Sequence, residues 1–173
     1  MPKPNLADVP AWYHRYINEV QEDDLHNAIR SNSETAISFF KALPEEKWTY
    51  RYAEGKWSIK EMLQHIIDAE RIFSYRALCF ARKDATPLPG FDEDSYATAS
   101  NAERRTKEEL VMEFTTLRNS IEQLFASFDE DQLASVGISN NSPISVNAIG
   151  FIIPGHVRHH INVIKERYLN GVS

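Results

Sequence analysis

The sequence predicts an all-α protein that folds as a four-helix bundle. Four segments repeat apolar residues at the three- and four-residue spacing of an amphipathic helix. Together they cover more than half of the chain, compared with about a third in an average globular protein. No segment alternates apolar and polar residues convincingly enough to predict a strand. Four amphipathic helices bury their apolar stripes most economically around one shared core.

The first predicted bundle helix spans residues 22–43. Residues 1–21, with prolines at positions 2, 4 and 10, precede it as an arm or short helix packed on the body. Pro44 ends the helix, because proline has no N–H to continue the hydrogen-bond ladder and disfavours a helical residue before it.

The second predicted helix begins at Ser58 and runs to about Arg82. Ser58 and Glu61 form a capping-box pattern, in which each side chain can bond the backbone N–H of the other residue. His65 lies on the same predicted face as Asp68, one turn further along.

Residues 84–105 show no sustained period and are predicted to form a long crossover. Connections of this length are unusual in compact domains, and this one can carry the chain back along the bundle. The second and third helices would then run parallel. We interpret the acidic run Asp92, Glu93 and Asp94 as a solvated loop in preference to the mouth of a pocket.

The third predicted helix starts with a second capping box, Thr106 to Glu109, and its apolar stripe is assigned to core packing. A polar loop follows as far as Asn141. Ser142 and Pro143 are then predicted to open the last helix, which runs to about Leu169 and stops at Gly171. Pro154 predicts a kink or short break just before His156.

Composition predicts one domain over residues 1–173 and excludes several classes of partner. The formal charge of −6 and the lack of a basic cluster argue against binding to a nucleic-acid backbone. No apolar run approaches membrane-spanning length, and the N-terminus lacks an apolar signal core. The single cysteine, Cys79, fits a reducing compartment, so we expect a cytoplasmic protein.

Three histidines predict a metal site. His156 and His160 are four residues apart and therefore point to the same side of a helix, and His65 can supply a third ligand. Three neutral imidazoles without a thiolate suit Zn²⁺, Ni²⁺ or Fe²⁺. Three protein ligands leave coordination positions open, which is the pattern of catalytic sites, and an open position can activate a water or thiol nucleophile.

Two further residues are candidates near this site. Asp68 can orient a ligand ring or act as a general base, or it can simply pair with Arg71 one turn away. His159 points away from His160 on a continuous helix, so it either lines the pocket or lies on the surface.

The residues around these histidines resemble a known family. The stretch KWSIKEMLQHIIDAER at 56–71 resembles the second-helix signature of the DinB-like superfamily, also called DinB/YfiT-like metalloenzymes. The LPGFD loop at 88–92 and the HVRHH stretch at 156–160 are similar to later motifs of that family. The resemblance spans about residues 22–170.

The resemblance implies a bundle with up-down-down-up topology and a divalent metal held by His65, His156 and His160. It also implies a homodimer and a small-molecule substrate such as a low-molecular-weight thiol. From the charge and the hydropathy we expect neither nucleic acid nor membrane as a partner. Family activities include thiol transfer, a thiol-dependent isomerisation and proposed hydrolysis. The leading hypothesis is therefore a metal-dependent transferase or hydrolase. The alternative is a non-catalytic, stress-related binding or dimerisation module with a structural metal or none.

Overall fold

A computed structural model describes residues 1–169, so the predicted helix stop at Gly171 lies outside the described part of the chain. The α-helices are α1 (His14–Glu19), α2 (Leu25–Ala42), α3 (Ile59–Ala81), α4 (Glu93–Ala99), α5 (Lys107–Ala126), α6 (Glu130–Ala134) and α7 (Val146–Val163). The strands are β1 (Val136–Ser139) and β2 (Ser142–Ser145). One-turn 3₁₀ helices lie at Leu6–Asp8, Ala11–Tyr13, Glu45–Lys47 and Ala102–Arg104, and a π-helical turn, Ile164–Leu169, extends α7.

Helices α2, α3, α5 and α7 form a four-helix bundle, as predicted. Ser58 Oγ, at the start of α3, donates to Glu103 Oε1 just before α5 at 2.6 Å, so these two helices start at the same end. Lys107 Nζ, at the start of α5, donates to the Leu43 carbonyl after α2 at 2.7 Å, so α2 and α5 are antiparallel.

The ends of α2 and α7 also lie together, because Lys47 Nζ donates to the Tyr168 carbonyl at 3.1 Å. Helices α2 and α7 therefore run in one direction, and α3 and α5 run in the other. This is the predicted up-down-down-up topology, and the connection between α3 and α5 is the predicted crossover.

The capping boxes predicted for α3 and α5 are both present. Ser58 and Glu61 exchange side-chain and backbone hydrogen bonds at the start of α3, and Thr106 and Glu109 do the same at the start of α5. Each box satisfies two backbone N–H groups that have no partner within the helix. The start of α3 fixes where His65 lies along the bundle.

The prediction that Ser142 and Pro143 open the last helix is wrong, as is the prediction that the chain has no strand. These residues lie in β2, which pairs antiparallel with β1, and Ser145 is the N-cap of α7. Asn140 and Asn141 both have positive φ, 49° and 61°, the conformation that a two-residue hairpin turn requires. Pro143 is tolerated because a two-stranded sheet has only edge strands.

The crossover also differs from the predicted loop, because it contains α4. Asp92 Oδ1 accepts a hydrogen bond from the Ser95 N–H and caps this helix. A seven-residue helix is too short to show a sustained apolar period. The short break considered at Pro154 is also absent, because α7 runs continuously from Val146 to Val163.

A buried polar layer divides the bundle core into two apolar halves. Arg118 of α5 and Glu70 of α3 are fully buried, with Arg118 Nε 3.2 Å from Glu70 Oε1. An Arg118 NH group also donates to Asn32 Oδ1 of α2. On α7, buried His156 lies between Ile153 of one apolar half and Val157 of the other. The prediction that α5 serves only apolar packing therefore misses its most buried charge.

Replacement of Arg118 by methionine is expected to destabilise the protein by about 3–5 kcal/mol at pH 8, because it leaves the Glu70 carboxylate buried without its ion pair. Urea unfolding measures this loss. Arg71→Met is the control, because Arg71 is half exposed in its pair with Glu113 and should cost about 1 kcal/mol or less. Equal losses in the two variants would show that the buried pair has no special role.

Candidate metal centre

Three histidine side chains from two helices converge inside the bundle. His156 Nε2 lies 3.1 Å from His65 Nε2 and 3.0 Å from His160 Nε2. A ligand nitrogen from each ring lies within 4.8 Å of the other two. The spacing of four residues along α7 and the antiparallel packing of α3 produce this convergence.

Close packing of the N-terminal arm covers one side of the centre. A Cβ atom on Gly155 would lie 2.0 Å from the Tyr16 carbonyl oxygen, so only glycine allows α1 to approach α7 at this point. The Tyr16 ring meets the His156 ring edge to face, with centroids 5.1 Å apart. On the other side Trp57 packs on His65, with centroids 4.8 Å apart.

Hydrogen bonding alone does not satisfy this cluster. An imidazole nitrogen carries either one N–H or one lone pair in the ring plane, yet His156 Nε2 faces two other Nε2 atoms at hydrogen-bonding distance. Zinc–nitrogen bonds of about 2.0–2.1 Å at tetrahedral angles place ligand nitrogens about 3.3 Å apart. The observed separations are close to that value, so a single ion can accept all three lone pairs.

Burial keeps the three rings neutral, the form that binds metal. His65 and His156 are 3% and 2% exposed. Burial lowers the pKa of His65 to about 4. Burial, reinforced by the neighbouring imidazoles, holds the pKa values of His156 and His160 well below their usual range.

The lowered pKa of His65 predicts acid sensitivity of the metal-free protein. In the unfolded chain His65 is protonated below its ordinary pKa of 6.5, whereas in the folded protein it stays neutral down to about pH 4. The free energy of unfolding should therefore fall by about 3 kcal/mol on account of His65 as the pH drops through this window. Urea unfolding of metal-free wild type and His65→Gln at several pH values measures the difference.

Glu70 acts in the opposite direction, because burial raises its pKa to about 7 and protonation favours the folded state. Both proteins contain Glu70, so its contribution cancels in the difference between them. The same pH dependence in the two proteins would contradict a depressed pKa at His65.

Asp68 and His159, the other candidate residues, lie in different surroundings. Asp68 Oδ1 accepts a hydrogen bond from Gln64 Nε2 at 2.9 Å and lies 4.0 Å from Arg71, the alternative pair considered above. No hydrogen bond joins Asp68 to the histidines within residues 1–169, so the geometry gives no support to its role in orienting a ligand ring, and its role as a general base stays a prediction. His159 is partly buried and lines a cavity with His160.

Two cavities flank the histidine centre. The smaller, about 130 Å³, has His156 in its wall, and the larger, about 370 Å³, has His160 in its wall. Helix α4 separates them, since Glu93 lines the first and Asp94 lines the second. Both carboxylates are exposed to solvent, as the sequence predicted, but they lie in the first turn of α4 and line the cavities, which was the alternative interpretation of this acidic run.

Sequence reasoning also missed the residues that the N-terminal arm and the crossover bring to the smaller cavity. Arg15 and Tyr16 come from α1, Arg76 from α3 and Phe91 from the crossover. No short-range pattern links these positions to the histidines. Only the observation that 88–92 belongs to a recognisable motif pointed to this region.

Comparison with known proteins gives concordant results. The family model described as the DinB superfamily matches residues 28–164. A curated protein of Oceanobacillus iheyensis, named "Putative metal-dependent hydrolase", is 27% identical over 132 residues, which cover 75% of each chain. YfiT from Bacillus subtilis, described as "a probable metal-dependent hydrolase with an unusual four-helix bundle topology", superposes with a TM-score of 0.69. That match is 14% identical and covers 95% of this chain and 90% of YfiT.

Within residues 1–169, no helix is both long enough and apolar enough to cross a membrane.

Proposed function

The chain belongs to the DinB superfamily, and we propose that its three histidines hold a divalent metal ion in a catalytic site of hydrolase or thiol transferase type. The observation that carries the proposal is the convergence of three Nε2 atoms in a buried setting. The names of the similar proteins from Oceanobacillus and Bacillus support the metal-dependent part.

The ligand set favours catalysis over a purely structural site. Structural zinc sites are normally closed by four protein ligands, whereas three leave a position for a substrate or water. A bound Zn²⁺, Ni²⁺ or Fe²⁺ ion would supply Lewis acidity that lowers the pKa of a water or thiol at that position. His65, His156 and His160 would hold the ion, since burial keeps their rings unprotonated.

The larger cavity supplies the groups that would handle the proton of the nucleophile. Asp94 lines this cavity together with His159 and His160. We assign Asp94 as the group that would accept the proton of an activated water or thiol, because its carboxylate lines the same cavity as His160 and a carboxylate suits general-base chemistry. Trp57 and Tyr168 contribute aromatic walls to the same space.

Activity screening of metal-loaded protein tests the proposal. Ester and amide hydrolysis and transfer reactions of low-molecular-weight thiols are assayed with zinc-, nickel- and iron-loaded protein. We expect one of these activities to disappear on chelation and to return on re-addition of metal. Asp94→Asn should lower its kcat at least tenfold while metal content stays at the wild-type level. Exposed Asp23 provides the control variant Asp23→Asn.

Two results would count against catalysis. One is the absence of any metal-dependent turnover in the loaded protein, and the other is an activity that survives chelation. The non-catalytic binding module would then be the better account. The homodimer and the cytoplasmic location expected from the sequence stay predictions, and light scattering on the purified protein tests the former.

A further inference from the structure

Arg76 is a buried cation without an anionic partner. The side chain comes from α3, is 4% exposed and lies in the wall of the smaller cavity together with His156. An Arg76 NH group donates to the Pro89 carbonyl at 2.6 Å. None of the ion pairs among residues 1–169 includes Arg76.

An unpaired guanidinium in this setting is unfavourable for the protein alone. Removal of a charge from water costs several kcal/mol unless a counter-charge or sufficient hydrogen bonds replace the lost hydration. The Pro89 carbonyl and the neutral Tyr13 hydroxyl are polar partners of Arg76, but they use only part of the five N–H groups that arginine offers and neither supplies a counter-charge. The other buried arginine of the bundle, Arg118, has both Glu70 and Asn32 as partners.

The cavity beside Arg76 has the size and walls of a binding site. Its volume of about 130 Å³ is close to that of engineered cavities of about 150 Å³ that hold benzene. Tyr13, Tyr16, Phe73 and Phe91 supply aromatic surface. Aromatic walls lower the local dielectric and strengthen any charge interaction made inside.

The wall formed by the crossover is held in place before any ligand arrives. Leu88 pairs with the hairpin through the Leu88 N–H to Ile138 carbonyl bond at 2.9 Å and the Asn140 N–H to Leu88 carbonyl bond at 3.0 Å. A Cβ atom on Gly90 would lie 2.6 Å from Asn140 Oδ1, so this contact is close. Preorganised walls reduce the entropic cost of binding.

Cations outnumber anions in the wall. The wall contains two guanidinium groups, from Arg15 and Arg76, and one carboxylate, from Glu93. Arg15 donates to the Tyr16 hydroxyl at 2.9 Å and is the charge that most favours ionised Glu93. One carboxylate can balance only one of the two guanidinium groups, so the wall of the cavity keeps a net positive charge.

We propose that this cavity is the anion subsite of the three-histidine centre, in which Arg76 binds a carboxylate or phosphate group of the substrate. The link to the reaction rests on the proposed function, because His156 is both a metal ligand and part of the cavity wall. The substrate class is then a small molecule with an anionic group next to the bond that reacts. Arginine suits this role because its planar fork binds both oxygens of such a group.

Calorimetric titration with benzoate, inorganic phosphate and neutral benzamide tests the subsite. Metal-free and zinc-loaded proteins are both titrated, because an anion that bound only to the metal would require zinc. We expect benzoate or phosphate to bind the metal-free protein, and the tighter of the two identifies the anionic group. Benzamide should bind at least tenfold more weakly than benzoate, since it lacks the charge.

Variants locate the binding to Arg76. Arg76→Gln should weaken anion binding at least tenfold and leave the zinc content unchanged, which separates this test from the test of the metal site. Arg71→Gln is the matched control on the same helix, because Arg71 is half exposed and pairs with Glu113. If Arg76→Gln does not fold, two other results decide the question. One is the comparison of benzoate with benzamide in wild type. The other is the Arg15→Gln variant, which should bind the anion more weakly than wild type.

Three results would overturn the proposal. The first is no anion binding to wild type tighter than about 10 mM. The second is equal affinity for benzoate and benzamide. The third is anion binding that requires zinc and is unchanged in Arg76→Gln. A protein that binds no zinc but binds benzoate through Arg76 would refute the metal site and retain the anion site.

Discussion

Replacement of His156 by alanine is expected to lower zinc affinity by more than 100-fold. His156 Nε2 lies 3.1 Å from His65 Nε2 and 3.0 Å from His160 Nε2, so it is the central ligand of the three. Without it, only His65 and His160 remain to bind the ion. Removal of groups that only orient a ligand already costs about 10–100-fold in affinity, and loss of the ligand itself should cost more. Competition against a chromophoric chelator measures the affinity.

The fold should largely survive this substitution. The His156 ring is buried and its Nδ1 has no hydrogen-bond partner among the described residues, so its removal also relieves an unsatisfied polar atom. His26→Ala is the matched control, because His26 is exposed on α2 and should leave zinc affinity unchanged. Wild-type zinc affinity in His156→Ala would show that the histidine cluster is not the metal site.

Replacement of Gly155 by alanine is expected to destabilise the protein by about 3 kcal/mol or more. The new Cβ would lie 2.0 Å from the Tyr16 carbonyl oxygen and 2.5 Å from its carbon, and both are backbone atoms. Relief of the clash requires α1 to move away from α7, which uncovers His156. Overpacking in a close-packed core commonly costs about 1–3 kcal/mol, and a backbone obstacle offers less relaxation than a side chain.

Gly150→Ala provides a graded control on the same helix. Its Cβ would lie 2.7 Å from Leu25 Cδ1 and 2.8 Å from Phe125 Cε1, the ends of side chains that can rotate. Alanine also favours helix over glycine by about 1 kcal/mol, which offsets part of the strain. Urea unfolding ranks the two variants. A Gly155→Ala protein as stable as Gly150→Ala would mean that the arm does not pack against α7 as described.

The sequence was sufficient to predict the bundle because its signals are local. Two capping boxes mark the starts of α3 and α5, and the apolar stripes run along all four long helices. The hairpin was missed because Asn140 and Asn141 take the place of the more familiar Asn-Gly turn, and strands of four residues carry little alternation. Helix α4 was missed for a similar reason of length.

For the site, too, the sequence predicted the residues that follow from local patterns and missed those that only tertiary packing brings together. His156 and His160 follow from helical geometry, and His65 follows from its apolar face and the family resemblance. Arg76 of α3 and Arg15 and Tyr16 of the arm were not predicted as cavity residues, because only tertiary packing brings them beside His156. Asp68 was a candidate because it shares a helix face with His65, but its partners are Gln64 and Arg71, one turn before and after it on the same helix.

The most direct test of the account is the metal content of the purified protein. Inductively coupled plasma mass spectrometry is applied to wild type prepared without chelators and to the double variant His156→Ala, His160→Ala. The account predicts about one equivalent of zinc, nickel or iron per chain in wild type and almost none in the variant. Absence of metal from wild type, even after reconstitution above the ordinary histidine pKa of about 6.5, would contradict it.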